Sequence, residues 1–155
     1  MNASSRSLPA RDQEIEALSA ELVPQAALLT RLVVRQLDAS LSRSEASLLK
    51  TLSGGPRRIT ELAELEGLAQ PTMTLLVKRL EQQGLVARER EAEDGRVVIV
   101  RVTSVGVGAL AAFRAKMSTT MRAYLSQMSE EQIGALTAGA RALDNLIALL
   151  QERGR

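Results

Sequence analysis

Residues 59–103 read ITELAELEGLAQPTMTLLVKRLEQQGLVAREREAEDGRVVIVRVT, and the changes of periodicity along them decide the fold. Thr60 is placed to cap a short first helix, Leu62, Ala63 and Leu65 give it an apolar face, and Gly67 is placed to end it. A second helix opens at Gln70-Pro71-Thr72, where proline gives up a backbone N–H that has no helical partner anyway. Met73, Leu76, Val77 and Leu80 then recur at helical spacing, which turns Thr72, Thr74, Leu75, Lys78 and Arg79 outward. Gly84 is the expected stop. Leu85 to Arg90 and Val97 to Thr103 are β-branched or alternating runs around Glu91-Ala92-Glu93-Asp94-Gly95, which predicts a hairpin with a charged tip. The order is helix, tight connection, helix, two-stranded ribbon.

Upstream of this stretch, Ser42 and Glu45 have capping-box spacing for a helix to about Leu52, and Ser53-Gly54-Gly55-Pro56 closes it. Residues 12–40 are helical in pattern, with Ile15, Leu18 and Leu22 on one stripe, and Pro24 is expected to kink or divide the helix. Residues 1–11 read as a polar, flexible arm. Downstream, Thr103 can cap a helix reaching about Gln127, and Ser129 with Gln132 forms a second capping box. In the last helix Ile133, Leu136, Ala140, Leu143, Ile147 and Leu150 are spaced 3, 4, 3, 4, 3, the seam of a helix that packs against another. Together these give a mainly α chain with a small β-hairpin: an arm at 1–11, terminal helices at 12–40 and 104–155, and a central domain at 41–103.

Composition excludes several chemistries. The chain of 155 residues has no cysteine and no histidine, so disulfides, thiolate nucleophiles and the commonest zinc ligands are ruled out, and no cofactor or metal site is expected. There is no leader pattern or lipidation signature, and no apolar run long enough to span a bilayer is expected, so a cytoplasmic protein with no membrane partner is expected. A net charge of +2 is too small to argue for a polyanionic partner by itself. Between Gly54 and Thr103 the bases and acids cancel, so a binding surface for nucleic acid has to come from placing the bases on one face. One tyrosine and one phenylalanine disfavour a module that stacks successive single-stranded bases.

Several of these residues carry a family resemblance. Asp94-Gly95-Arg96, followed by Val102-Thr103 and Gly106, resembles the wing signature of the MarR/SlyA family of bacterial winged helix-turn-helix transcription regulators, with valine where the family pattern has leucine. Leu41-Ser42-x-x-Glu45 with Leu48, Leu49 and Leu52 resembles the helix before the family's helix-turn-helix. Gln70-Pro71-Thr72, Arg79-Leu80-Glu81 and Gly84-Leu85-Val86 resemble its recognition helix and exit. Many members carry arginine where this chain has Leu75. The resemblance implies a winged helix-turn-helix domain at 41–103 and a homodimer held by the N- and C-terminal helices. It further implies double-stranded DNA as partner and release by a small apolar or phenolic effector.

On that reading Gln70, Pro71, Thr72, Thr74, Leu75, Lys78 and Arg79 form the DNA-facing side of the recognition helix. Arg88, Arg90, Asp94 and Arg96 belong to the wing, and the resemblance implies that Arg96 enters the minor groove with Asp94 steadying its guanidinium. Arg57 and Arg58, in the loop before the first helix, fit either a phosphate clamp or a solvated pair. Met117, Met121 and Tyr124 share one helical stripe that fits either an effector pocket or ordinary core. The dimer interface is expected at Ile15, Leu18, Leu22, Ile133, Leu136, Leu143, Ile147 and Leu150, a monomeric bundle being the alternative. An enzyme is not expected: Ser47-Leu48-Leu49-Lys50 has a hydrolase-like Ser-x-x-Lys spacing but lacks the companion motifs. A dimeric winged-helix module that binds protein without reading DNA is the competing function.

Overall fold

The computed structural model describes residues 9–37, 41–90 and 98–153, the side chain of residue 90 excepted. In chain order the elements are α1 (Ala10–Arg35), α2 (Arg43–Leu52), β1 (Arg57–Arg58), α3 (Ile59–Leu65), α4 (Gln70–Gln82), β2 (Val86–Arg90), β3 (Val98–Val102), α5 (Ser104–Leu125) and α6 (Glu130–Arg153). The chain divides into two compact units, residues 1–117 and 118–155, with the division falling inside α5.

The first unit holds the core. Leu48 and Leu49 of α2, Leu62 of α3, Met73, Val77 and Leu80 of α4 and Val100 of β3 are sealed from solvent, and Leu110 and Phe113 of α5 close the cluster. Val34 and Leu37, at and just beyond the end of α1, pack against it. The ribbon expected from the sequence is the larger part of a three-stranded antiparallel sheet of order β1-β3-β2. Val86 faces Val102 and Arg88 faces Val100 across β2 and β3, while Arg57 of β1 pairs with Val100 on the other side of β3. The third strand corrects the reading of Arg57-Arg58 as loop. A two-residue strand has no periodicity of its own to read; it forms because the free edge of β3 offers its backbone partners.

Local capping follows the sequence at several junctions. Ser42 and Glu45 form the reciprocal capping box, the Ser42 N–H donating to Glu45 Oε2 at 2.7 Å and the Glu45 N–H to Ser42 Oγ at 3.3 Å. Gly84 takes a φ of 71°, and the Leu85 N–H then reaches back to Leu80 O at 2.9 Å, the bond that ends α4 and turns the chain into β2. One expectation needs correction and another is narrowed. Residue 60 does not cap α3: the helix starts at Ile59, and the Arg58 N–H donates to Glu61 Oε2 at 3.2 Å, because β1 runs directly into the helix. Pro24 does not divide α1, which continues through it as one element. Proline removes one hydrogen bond from the ladder, which leaves a kink at Pro24 as the form the expectation takes.

The junction between β3 and α5 is the tightest in the domain. Thr103 donates its backbone N–H to Leu85 O at 3.0 Å and its hydroxyl to Gly84 O at 2.7 Å, while Oγ1 accepts the Gly106 N–H at 3.0 Å. Here α5 lies so close to the α4 exit that a Cβ on Gly106 would fall 2.1 Å from Leu85 O. Only glycine permits that approach.

In the second unit, Ser129 and Gln132 form their capping box, with bonds of 3.0 and 3.2 Å. Helix α6 buries no residue, and Leu136, Leu143, Ile147 and Leu150 all stand exposed along the seam. One expectation about membranes is also corrected: α1 and α6 are each long and apolar enough to cross a bilayer, with mean hydropathy of 1.3 over their most apolar stretches. These stretches carry Glu21 and Arg31 in α1 and Arg141 and Asp144 in α6. A charge at the centre of a spanning helix costs about 2.5–3.5 kcal/mol, which weighs against that placement.

Candidate nucleic-acid interface

Helix α4 has two faces of opposite character. Met73, Val77 and Leu80 are buried against α2 and α3, and helical phase therefore turns Pro71, Thr72, Leu75, Lys78 and Arg79 to the other side, where all five are exposed. Gln70 is exposed at the start of the helix, and Thr74 flanks the face with its hydroxyl donated back to Gln70 O at 2.9 Å. These residues, which the sequence grouped by spacing, lie together on the surface. Beside them, β2 and β3 project as an antiparallel ribbon whose strands end at Arg90 and begin again at Val98. Asp94 and Arg96 lie outside the described residues, as does the side chain of Arg90.

Two of the expected cations have internal carboxylate partners. Arg79 Nε lies 3.0 Å from Glu45 Oε1, linking the outer face of α4 to α2. Glu45 is 1% exposed, and this oxygen lacks an aligned hydrogen bond, so the guanidinium charge is what compensates it. Arg88 is bound to Glu81, its Nε donating to Glu81 Oε2 at 2.8 Å and its Nη2 reaching the same oxygen. The guanidinium beside it holds the Glu81 carboxyl below the usual carboxylate range, and the carboxylate in turn raises the pKa of Arg88. On the sheet, Arg101 pairs with Glu89 at 3.1 Å. Arg57 and Arg58 are exposed in β1, on the far side of β3 from Arg88. Lys78 is exposed in mid-face on α4.

The sequence reading missed Glu45 and Glu81 as partners. For Glu81 a signal existed: the αL turn at Gly84 folds β2 back beside the end of α4, which brings residues 81 and 88 together. Glu45 carried only its capping signal, and nothing local joins it to residue 79.

Residues 41–98 match the MarR family model. Among curated proteins, the transcriptional regulator YpoP of Bacillus subtilis is 32% identical over 52% of this chain and 57% of its own length. The transcriptional repressor MdtR of the same organism is 32% identical over 51% of each. The matched region thus spans little more than half the length of these two relatives. Among solved structures, Sco3205 of Streptomyces coelicolor, a MarR family transcriptional regulator crystallised with DNA, is 27% identical. That alignment covers 92% of this chain and 91% of Sco3205, with a TM-score of 0.57.

The similarity to the MarR family thus covers the winged core, residues 41–98.

The MarR relatives are transcription regulators and not enzymes. In this chain Ser47 of the Ser-x-x-Lys spacing is structural: it donates its hydroxyl to Glu66 at 2.7 Å, and Thr51 donates to the same carboxylate at 2.6 Å, fastening α2 to the end of α3. Of the methionine stripe, Met117 packs against the winged core, Met121 is half-buried and Tyr124 is 49% exposed. A separate concavity of about 380 Å³ lies where α1 meets the start of α2, with Pro24, Leu28 and Val34 as apolar lining and Arg31, Arg35 and Arg43 around them.

Proposed function

We propose that this chain is a cytoplasmic transcription regulator of the MarR family that binds a pseudo-palindromic site in double-stranded DNA as a homodimer. The observation that carries the reading is the exposed face of α4, centred on Leu75 and Lys78 and set directly before a β-ribbon. A helix with this arrangement enters the major groove while the wing follows the backbone into the flanking minor groove, where Arg96 and Asp94 are assigned. Half-sites lie about one duplex turn apart, about 34–36 Å. The exposed seams of α1 and α6 support the dimer, because an amphipathic helix without a partner is poorly stable.

Repression by promoter occupancy is the simplest mode, and the repressor MdtR supports it. An effector releases DNA only if it binds more tightly to a dimer whose recognition helices are wrongly spaced. Its seat is better supported at the concavity between α1 and α2 than at the methionine stripe, since Met117 is committed to core packing.

A second reading, a dimeric module that binds protein, draws support from the carboxylates that hold Arg79 and Arg88 and from the apolar Leu75. Selection of random duplex DNA by the purified protein, followed by a salt titration on the enriched sites, separates the two. A two-fold symmetric motif whose log affinity falls steeply with log salt supports the regulator. Weak, sequence-blind binding refutes it and leaves the module.

A further inference from the structure

We infer that Leu75 reads the 5-methyl group of a pyrimidine, a thymine in unmodified DNA, at the centre of each half-site; this rests on the DNA-binding reading above. Leu75 is 69% exposed and contributes nothing to the core, although it sits between two residues, Thr74 and Leu76, that are partly buried. It occupies the middle of the outward face, with Pro71 and Thr72 one turn before it and Lys78 and Arg79 one turn after. Of the donors around it, the Thr74 hydroxyl binds Gln70 O and Arg79 Nε is held against Glu45, while Thr72 and Lys78 lie one turn away on either side. The centre of the face therefore offers carbon where a base edge is read.

A leucine cannot distinguish bases by hydrogen bonding. In the major groove the one apolar group that marks a base is the C5 methyl of thymine, so shape and burial select it. Phosphate contact by Lys78, one turn further along, fixes the register in which that methyl meets the side chain. Cytosine methylated at C5 presents the same group, and the chemistry predicts that it substitutes for thymine at this position.

The test uses the full-length protein and the sites enriched from random DNA. Each thymine is replaced in turn by deoxyuridine, which removes only the methyl. At one position per half-site the affinity should fall about fourfold, and about 15-fold when both half-sites are changed, the value for burying one methyl-sized group in each. Leu75→Ala should bind the thymine and uracil sites equally while keeping the parent's thermal midpoint and salt slope; Leu75→Met should keep the discrimination. If sites enrich but no uracil substitution matters, or if Leu75→Ala still discriminates, the methyl reading is overturned and DNA recognition stands. If no site enriches, DNA recognition itself fails and this inference with it.

Discussion

In the winged core Leu48, Leu49, Leu62, Met73, Val77 and Leu80 have no exposed surface, whereas α6, with a leucine-rich seam of its own, buries nothing. Both regions carry apolar residues at helical spacing. The difference is what surrounds them: α2, α3, α4 and the sheet close around one another, while the stripes of α6 and of most of α1 face outward. The same pattern is therefore complete within one chain in the core and incomplete at the ends. The comparison teaches that the amphipathic stripe specifies that a helix needs a partner without specifying which chain supplies it.

The sharpest way to break this contrast is to charge the seam. Leu143→Asp with Ile147→Asp should convert a dimer to a monomer in sedimentation and weaken binding to a two-half-site DNA by about 10³-fold, since the second half-site is no longer tethered. The winged core should keep its fold. A dimer that survives this double change places the interface elsewhere.

Truncation to alanine contrasts the two regions directly. Leu48→Ala should lower the stability of the core by about 2–5 kcal/mol in denaturant titration, because it opens a cavity in a sealed site. In the monomeric double variant, Leu136→Ala should change stability by less than about 0.5 kcal/mol, as expected of a side chain that is already hydrated. Equal effects would mean that the seam of α6 is buried within its own chain.

Within α5, two glycines give the next comparison. Gly106→Ala should destabilise by about 1–3 kcal/mol in thermal unfolding, since its methyl would overlap the Leu85 carbonyl. At Gly108 a Cβ meets nothing within 4 Å, and Gly108→Ala should stabilise the helix by about 0.5–1 kcal/mol. A neutral Gly106→Ala would show that the α4 exit and α5 are looser than they stand here.

The smallest effect is expected at the wing base. Arg88 holds the folded-state pKa of Glu81 below its unfolded value, so the pair stabilises the fold above the usual glutamate range and loses this contribution as pH falls through the lowered value. Both partners are about a third exposed (32% and 35%), so Glu81→Gln should cost under about 1 kcal/mol at neutral pH. The gap between variant and parent should shrink as the pH drops below about 4.3. A gap that widens in acid would reverse the assignment.

Much of the fold was legible because its signals are local. Ser42 finds Glu45 three residues on, Ser129 finds Gln132, Gly84 supplies the turn that no side chain favours, and the period of Met73, Val77 and Leu80 states which side of α4 is inside. The outward residues of α4 followed from the same phase. The short strand β1 was not legible, since two arginines have no pattern, and neither was the continuity of α1 through Pro24, which depends on how well the flanking turns hold.

By itself, then, the sequence determined the order of the helices and of the two ribbon strands, the inner and outer faces of α4, and the unfilled seams at both ends, all of which rest on contacts within a few residues along the chain. Only the tertiary structure decided that Arg79 is held by a buried Glu45 and Arg88 by Glu81, that Arg57 and Arg58 complete a sheet, and that Gly106 must lack a side chain. The reason is physical: charge pairing, strand edges and close backbone approach depend on distance in space. That distance is set by how the apolar faces close on one another, and no spacing along the chain encodes it.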